Sequence, residues 1–338
     1  MSNAVGELPP LNVLLTFDIE VWCAGWQDLD ARFPAAFSRY VYGASRAGNY
    51  ALPKTLEIMN AHGLKGVFFV EPLFAARFGL EPLAEIVKLI GQAGQEVQLH
   101  LHPEWQNESI DPLIPNHTEK RQGLIHYNLE EQTALIGHGI RLLQEAGAER
   151  PTAFRSGGYS SNADTFTALE RNGIFYDSSL NVTLNRSGVG LPDALRRPGA
   201  HYIGRVLELP LSVFCASAGR VRHVQVGSCA TPEMMQVLES ARTGGWSYVN
   251  VMSHNFEMLL RASHRPDWIV VRRFERLCRH LAENRDIYPT TWFGDSGFAE
   301  EPPGIRLPAT SAGANARRFL EQGYRRALEA TARLIPVL

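Results

Sequence analysis

The sequence predicts one α/β domain with a barrel-like parallel sheet, and three observations carry that expectation. Apolar strand-like runs alternate with amphipathic helix-like segments across most of the chain. The joints between them are too short for a domain break. Finally, chemically loaded side chains recur at the same, C-terminal end of successive strands, where parallel α/β folds open their sites.

The elements follow in order. Residues 12–18 form an apolar run rich in branched side chains, without helical period, and read as a buried strand. Strand alternation puts Asp18 and Glu20 on one face of it. An irregular aromatic-rich stretch, 21–50, comes next. Pro53 in a first turn and Gly63 just past the end bracket a helix over 52–62. A strand over 66–70, an amphipathic helix over 81–93 closed by Gly94, and a strand over 96–101 follow. The last of these delivers His100 and His102 to a shared face. Residues 103–127 form a long polar loop, and Asn128 with Glu131 three residues on resembles a capping box that opens a helix to about 146. A short strand over 152–155 precedes a helix over 163–172, capped by Asn162 and stopped by Gly173, and then a strand over 174–177. Segments 207–216 and 220–226 alternate on either side of Gly219 and suggest an antiparallel hairpin excursion. Thr231-Pro232-Glu233 starts a helix to about 242, 247–252 is a buried strand, and 266–284 and 314–334 are helical. The limits so drawn are an N-terminal tail (1–10), a barrel domain (11–300) and a C-terminal extension with a helix (301–338).

Composition narrows the classes of function. The chain of 338 residues has a formal net charge of −2 with 20% charged residues, which argues against a nucleic-acid or membrane-surface partner held by charge. No apolar run approaches the roughly 20 residues a membrane span needs. No basic patch with an apolar follow-on marks the first ten residues as a secretory signal, so a cytoplasmic place is expected. Cys23, Cys215, Cys229 and Cys278 lack paired spacing and read as free thiols.

The strand ends carry the chemistry. Asp18 and Glu20, then His100 and His102, then Arg155, Asp177 and His254 each terminate a predicted strand. Taken singly, a strand-end Asp reads as a helix cap and a strand-end His as a satisfied core group. Their convergence at one end is different, because a charged cluster in a barrel mouth costs desolvation and serves no packing purpose.

These residues resemble the motifs of the polysaccharide deacetylases, the NodB-homology domain of carbohydrate esterase family four. Thr16-Phe17-Asp18-Ile19-Glu20 resembles the opening motif, Gln98 to Glu104 the metal-histidine motif, and Phe154 to Tyr159 the arginine motif. Phe175 to Ser179 is similar to the aspartate strand and Val249 to His254 to the final motif, so the resemblance spans about 11–260 in order. It implies a distorted (β/α)7-type barrel and removal of an acetyl group from an N-acetylated amino sugar. It also implies a divalent metal, Zn²⁺ with Co²⁺ or Ni²⁺ as alternatives, held by Glu20, His100 and His102. Asp18 would act as general base, paired with Arg155, and His254 as general acid oriented by Asp177.

Two departures matter. Ile19 stands where the opening motif carries a second aspartate, which makes Glu20 the expected ligand and leaves an exchange of roles with Asp18 open. The histidines are two apart rather than four, which leaves Glu104 as an alternative to His102. Trp22, Trp105 and Tyr159 are candidate sugar contacts; the other reading is that loop aromatics such as Trp22, Trp105, His117 and Tyr127 pin their loops to the barrel. Long loops over the mouth suit a small or terminal sugar, in the assembly of a surface polysaccharide. Rival readings are another metal-dependent C–N hydrolase acting on a small amide or cyclic ureide, and a non-catalytic sugar-binding descendant. A homo-oligomer built through 185–230 or the C-terminal helix stays open.

Overall fold

The computed structural model describes residues 8–115, 119–261, 263, 265–295 and 297–334. Its strands are β1 (Asn12–Ile19), β2 (Ala44–Ser45), β3 (Gly48–Asn49), β4 (Val67–Val70), β5 (Glu96–Leu101) and β6 (Ala153–Ser156). Then come β7 (Tyr176–Asp177), β8 (His201–Ile203), β9 (Val206–Glu208), β10 (Val213–Cys215), β11 (Val221–His223) and β12 (Tyr248–His254). The helices are α1 (Leu29–Phe37), α2 (Leu52–Ala61), α3 (Ala75–Phe78), α4 (Leu80–Gln92) and α5 (Leu129–Glu145). They continue with α6 (Ala163–Arg171), α7 (Thr231–Thr243), α8 (Trp268–Glu283) and α9 (Ala312–Leu334).

Eight strands form one curled sheet in the order β12-β1-β4-β5-β6-β7-β9-β8. From β12 to β9 every pairing is parallel, and only β8 runs antiparallel, so seven parallel strands make the partial barrel that the sequence pattern and the family resemblance imply. The register between β12 and β1 sets Asp18 directly beside His254.

β1 shows how period-two alternation builds the site. Val13, Leu15, Phe17 and Ile19 join the larger apolar cluster that includes residues of the helices. Leu14 joins a second cluster with Val67, Phe69, Tyr248 and Phe293 that plugs the lower interior. One step up, Thr16 donates to Asn250 Oδ1 (2.8 Å), and Asn250 Nδ2 donates to Ser178 Oγ (2.9 Å). The inward stripe thus passes from apolar Leu14 through polar Thr16 to Asp18 and Glu20 at the mouth.

Local sequence signals account for the helix starts. Asn128 Oδ1 accepts from Glu131 N (3.0 Å) and Glu131 Oε2 accepts from Asn128 N (3.0 Å), the reciprocal capping box expected for α5. Asn162 and Thr165 make the same exchange at α6. The hairpin around Gly219 (φ +72°) forms, but its strands are only Val213–Cys215 and Val221–His223. Leu207, expected on that hairpin, lies instead in β9, whose backbone pairs with β7 in the main sheet. The edge strand β8 was not anticipated, because His201–Ile203 is too short to show a period. The excursion also covers β12: Met252 N donates to Val224 O and Val226 N to Met252 O, both at 3.1 Å. No described helix is long and apolar enough to cross a membrane.

Candidate metal centre and its surroundings

Glu20 is the hub. Its Oε1 stands 3.1 Å from His100 Nε2 and 3.0 Å from His102 Nε2, with all three side chains largely withdrawn from solvent. The donor chemistry of this cluster is diagnostic. His100 Nδ1 lies 2.7 Å from the carbonyl of Arg155, which can only accept, so Nδ1 carries a hydrogen and Nε2 is the atom that faces Glu20. A nitrogen and a carboxylate oxygen at that range share either a proton or a cation. The Glu20, His100 and His102 ligand atoms lie within 4.8 Å of one another, an O,N,N set that fits a divalent metal.

Each member is oriented from behind, as metal ligands generally are. Glu20 Oε2 accepts from Trp22 Nε1 at 2.6 Å, which leaves Oε1 to face the imidazoles. His102 Nδ1 meets Glu104 Oε1 at 3.2 Å. Glu104 therefore sits behind His102, on the nitrogen that faces away from Glu20, and the alternative ligand role considered for it is not the arrangement seen. Burial would raise the Glu20 carboxyl, but the charge of His102 and hydrogen bonds from His100 and His102 hold it well below the usual carboxylate range. Burial would lower His102, yet the charge of Glu20 and the hydrogen bond it donates to Glu104 push it well above its ordinary value. Gly157 makes room for this ring: a Cβ there would lie 2.6 Å from His102 Nδ1.

Arg155 crosses the barrel interior to Asp18. It is fully buried; its Nη1 donates to Asp18 Oδ1 (2.6 Å), Nη2 to Thr16 Oγ1 (3.0 Å) and Ser178 Oγ (3.1 Å), and Nε to Ser178 O (3.2 Å). A guanidinium so fully satisfied is a rigid prop for one carboxylate oxygen. Asp18, Glu20 and His254 form a second group of ligand-type atoms within 4.8 Å of one another.

His254 corrects one expectation. Asp177, expected to orient it, is buried in the sheet, where its oxygens accept from Ser179 Oγ (2.7 Å) and Ser179 N (3.1 Å). Burial raises the Asp177 carboxyl, and burial together with the charge of the neighbouring Asp177 pushes Glu208 well above its usual range. The carboxylate on His254 Nδ1 is Glu257 Oε1, at 3.0 Å. Glu257 is itself fixed by Gly227 N (2.7 Å), Ser253 Oγ (3.0 Å) and Gln225. His254 is raised to about 9: burial opposes the rise, and the Glu257 hydrogen bond and the Glu20 charge drive it. Glu257 escaped sequence reasoning because it follows the strand in a loop; the only signal was its position three residues after His254.

The aromatic expectations divide. Trp105 is 1% exposed and wedged among Trp22, Trp26, Phe74 and Phe78, so it pins its loop rather than meeting a substrate. Trp22 is half-buried with its ring edge on His102 at 4.7 Å, a neighbour of the cluster. Tyr159 is half-buried at the mouth and takes φ +57° directly after Gly158 at +58°, two left-handed residues in succession. Such backbone strain concentrates at functional sites. His117, another loop aromatic, lies outside the described residues.

Comparison with known proteins bears on this geometry. No protein-family model matches the chain. A peptidoglycan deacetylase-like protein of Gibberella zeae is 25% identical over 190 residues, 53% of this chain and 49% of that protein. The match thus spans about half the length of that curated relative. Among solved structures, a Mycobacterium smegmatis protein assigned as a polysaccharide deacetylase superposes with a TM-score of 0.50 at 19% identity, covering 86% of this chain and 96% of that one. A 4-alpha-glucanotransferase of Thermococcus litoralis gives a TM-score of 0.53 at 9% identity, over 96% of this chain and 47% of that one. Likeness at such identities concerns the fold. The chain has the distorted barrel fold of the polysaccharide deacetylases, and of the residues that resemble their motifs Asp18, Glu20, His100, His102 and His254 meet at its mouth, while Asp177 lies within the sheet.

Proposed function

We propose that this protein is a metal-dependent N-deacetylase that removes the acetyl group from an N-acetylated amino sugar. The carrying observation is the shared Glu20 oxygen between the Nε2 atoms of His100 and His102, with each imidazole held on its far nitrogen by an acceptor. Glu20, His100 and His102 would hold the ion, Zn²⁺ first by donor type. When bound, it supplies Lewis acidity toward the amide carbonyl and acidifies a water.

The chain's own groups supply the rest. Asp18, propped by Arg155 through one oxygen, accepts a proton at the other as general base. His254, its Nδ1 occupied by Glu257, turns Nε2 to the mouth and donates a proton to the departing amine. One acceptor and one donor on adjacent strands flank the place where the amide would sit. Trp22 and Tyr159 border the same mouth and would meet the sugar ring. The reading supports work on a small or terminal sugar in polysaccharide assembly.

The test is direct. Purified protein loaded with Zn²⁺ should release acetate from at least one acetylated amino sugar, presented free, nucleotide-linked or lipid-linked. No acetate from any of the three, with metal bound, defeats the proposal.

A further inference from the structure

The C-terminal helix is mounted with its polar side inward. α9 docks on the barrel through ion pairs: Arg318 to Glu233 at 2.9 Å, Glu321 to Arg273 at 2.7 Å, and Arg325 to Asp267 at 2.5 Å. Its opposite side carries Ala316, Phe319, Leu320, Tyr324, Ala327 and Ala330, all exposed and spaced to form one stripe. Phe319 is 57%, Leu320 71% and Tyr324 60% exposed. A surface helix normally does the reverse, with apolar residues on the core and charge in water.

Cations flank the stripe. Leu320 and Tyr324 line a groove of about 410 Å³ between α8 and α9, together with Arg272, Arg276 and Arg317. Arg272 and Arg276 are exposed, and their side chains have no hydrogen bond or ion pair among the described residues. The groove's one acid, Glu321, is already shared by Arg273 and Arg317. Trp268, 49% exposed, opens α8 beside Ile269 of the same groove.

We propose that this α8–α9 face binds the surface of an anionic lipid bilayer, with the apolar stripe in the headgroup boundary and the arginines on phosphates. Charge decides between possible occupants. A second copy of the chain meeting this groove across a two-fold axis would set arginines against arginines with no free carboxylate among the groove's lining residues. A bilayer offers anions and an apolar layer in one plane, which matches both halves of the face. The near-neutral total charge of the chain conceals this local separation. The inference is independent of the catalytic reading.

Co-sedimentation with vesicles tests it. The protein should pellet with mixed phosphatidylglycerol–phosphatidylcholine vesicles, and not with phosphatidylcholine alone, and raised salt should release it. The triple variant Arg272→Gln/Arg276→Gln/Arg317→Gln should partition on the order of a hundred-fold less, since each arginine contributes a factor of about five. Leu320→Ser/Tyr324→Ser should weaken binding as well, with both variants unfolding at the parent temperature. Failure to bind the anionic vesicles overturns the proposal. So does a concentration-dependent dimer that Leu320→Ser/Tyr324→Ser dissolves while vesicle binding is absent, or equal binding to both vesicle types.

Discussion

Replacing Glu257 by Gln preserves shape and removes the charge behind His254. In the intact protein the His254 imidazolium is raised from the ordinary 6.5 to about 9. That rise is worth roughly 3 kcal/mol in favour of the protonated ring, at ~1.4 kcal/mol per pH unit. Burial opposes it; the Glu257 hydrogen bond leads the raising influences, followed by the charges of Glu20, Glu257 and Asp18. Glu257 accounts for two of those four, so its loss should lower His254 by roughly one to two pH units. A general acid works only while protonated, and activity is therefore lost as pH rises through its pKa. The alkaline limb of kcat/KM should move to lower pH in Glu257→Gln by about the same amount, with turnover above neutral pH down by roughly 10- to 100-fold. NMR titration of the His254 ring in metal-free protein measures the shift directly. Asp177→Asn, by contrast, should leave that limb where it is. The reasoning is refuted if Glu257→Gln does not move the limb, or if Asp177→Asn does.

The remaining expectations concern metal, base and packing. His100→Ala should remove metal binding and activity together, read by metal content and acetate release. Asp18→Asn should retain metal and fold but lose roughly 10²-fold or more in turnover, and loss of metal instead would reverse the roles of Asp18 and Glu20. Gly157→Ala drives a methyl into the His102 ring and should weaken metal affinity by about 10- to 100-fold, measured by competition with a chelator. The buried Glu208, raised well above its usual range by burial and by Asp177, binds its proton more tightly folded than unfolded. The contribution of Glu208 to stability should therefore be fully present below the ordinary glutamate pKa and be lost as pH rises toward the raised folded value. Urea unfolding across pH should show Glu208→Gln with a flatter dependence than the parent.

Much of this architecture is legible in the sequence because its signals are local. Capping at Asn128 and Asn162 needs only residues three apart, and the buried strands announce themselves by composition. The site is legible where strands end in ligand-type residues, as at Glu20, His100 and His102. What escaped depends on contacts distant in the chain or on loops without period. Glu257 reaches His254 from a turn, and its own supports come from Gln225 and Gly227. Asp177 was assigned by resemblance to a partner that the fold places elsewhere; its neighbour Glu208 lies on a strand whose pairing the alternating pattern assigned to the hairpin. Trp105 could not be told from a substrate platform, since a buried and an exposed indole look alike in one dimension. Gly157 shows the limit from the other side: a missing side chain is meaningful only once the His102 ring is seen in its place.

The direct pairing of β1 with β12 has a consequence for tolerance to change. Because Asp18 and His254, the base and the acid of the proposed reaction, occupy matched rungs of neighbouring strands, the gap between their backbones is the inter-strand spacing of about 4.8 Å. No loop sets that interval, so insertions and deletions in the connecting segments can reshape which molecule enters while the span across the reacting bond stays constant. Substrate range and reaction chemistry can thus drift apart in related chains, the first written in the loops and the second in the ladder.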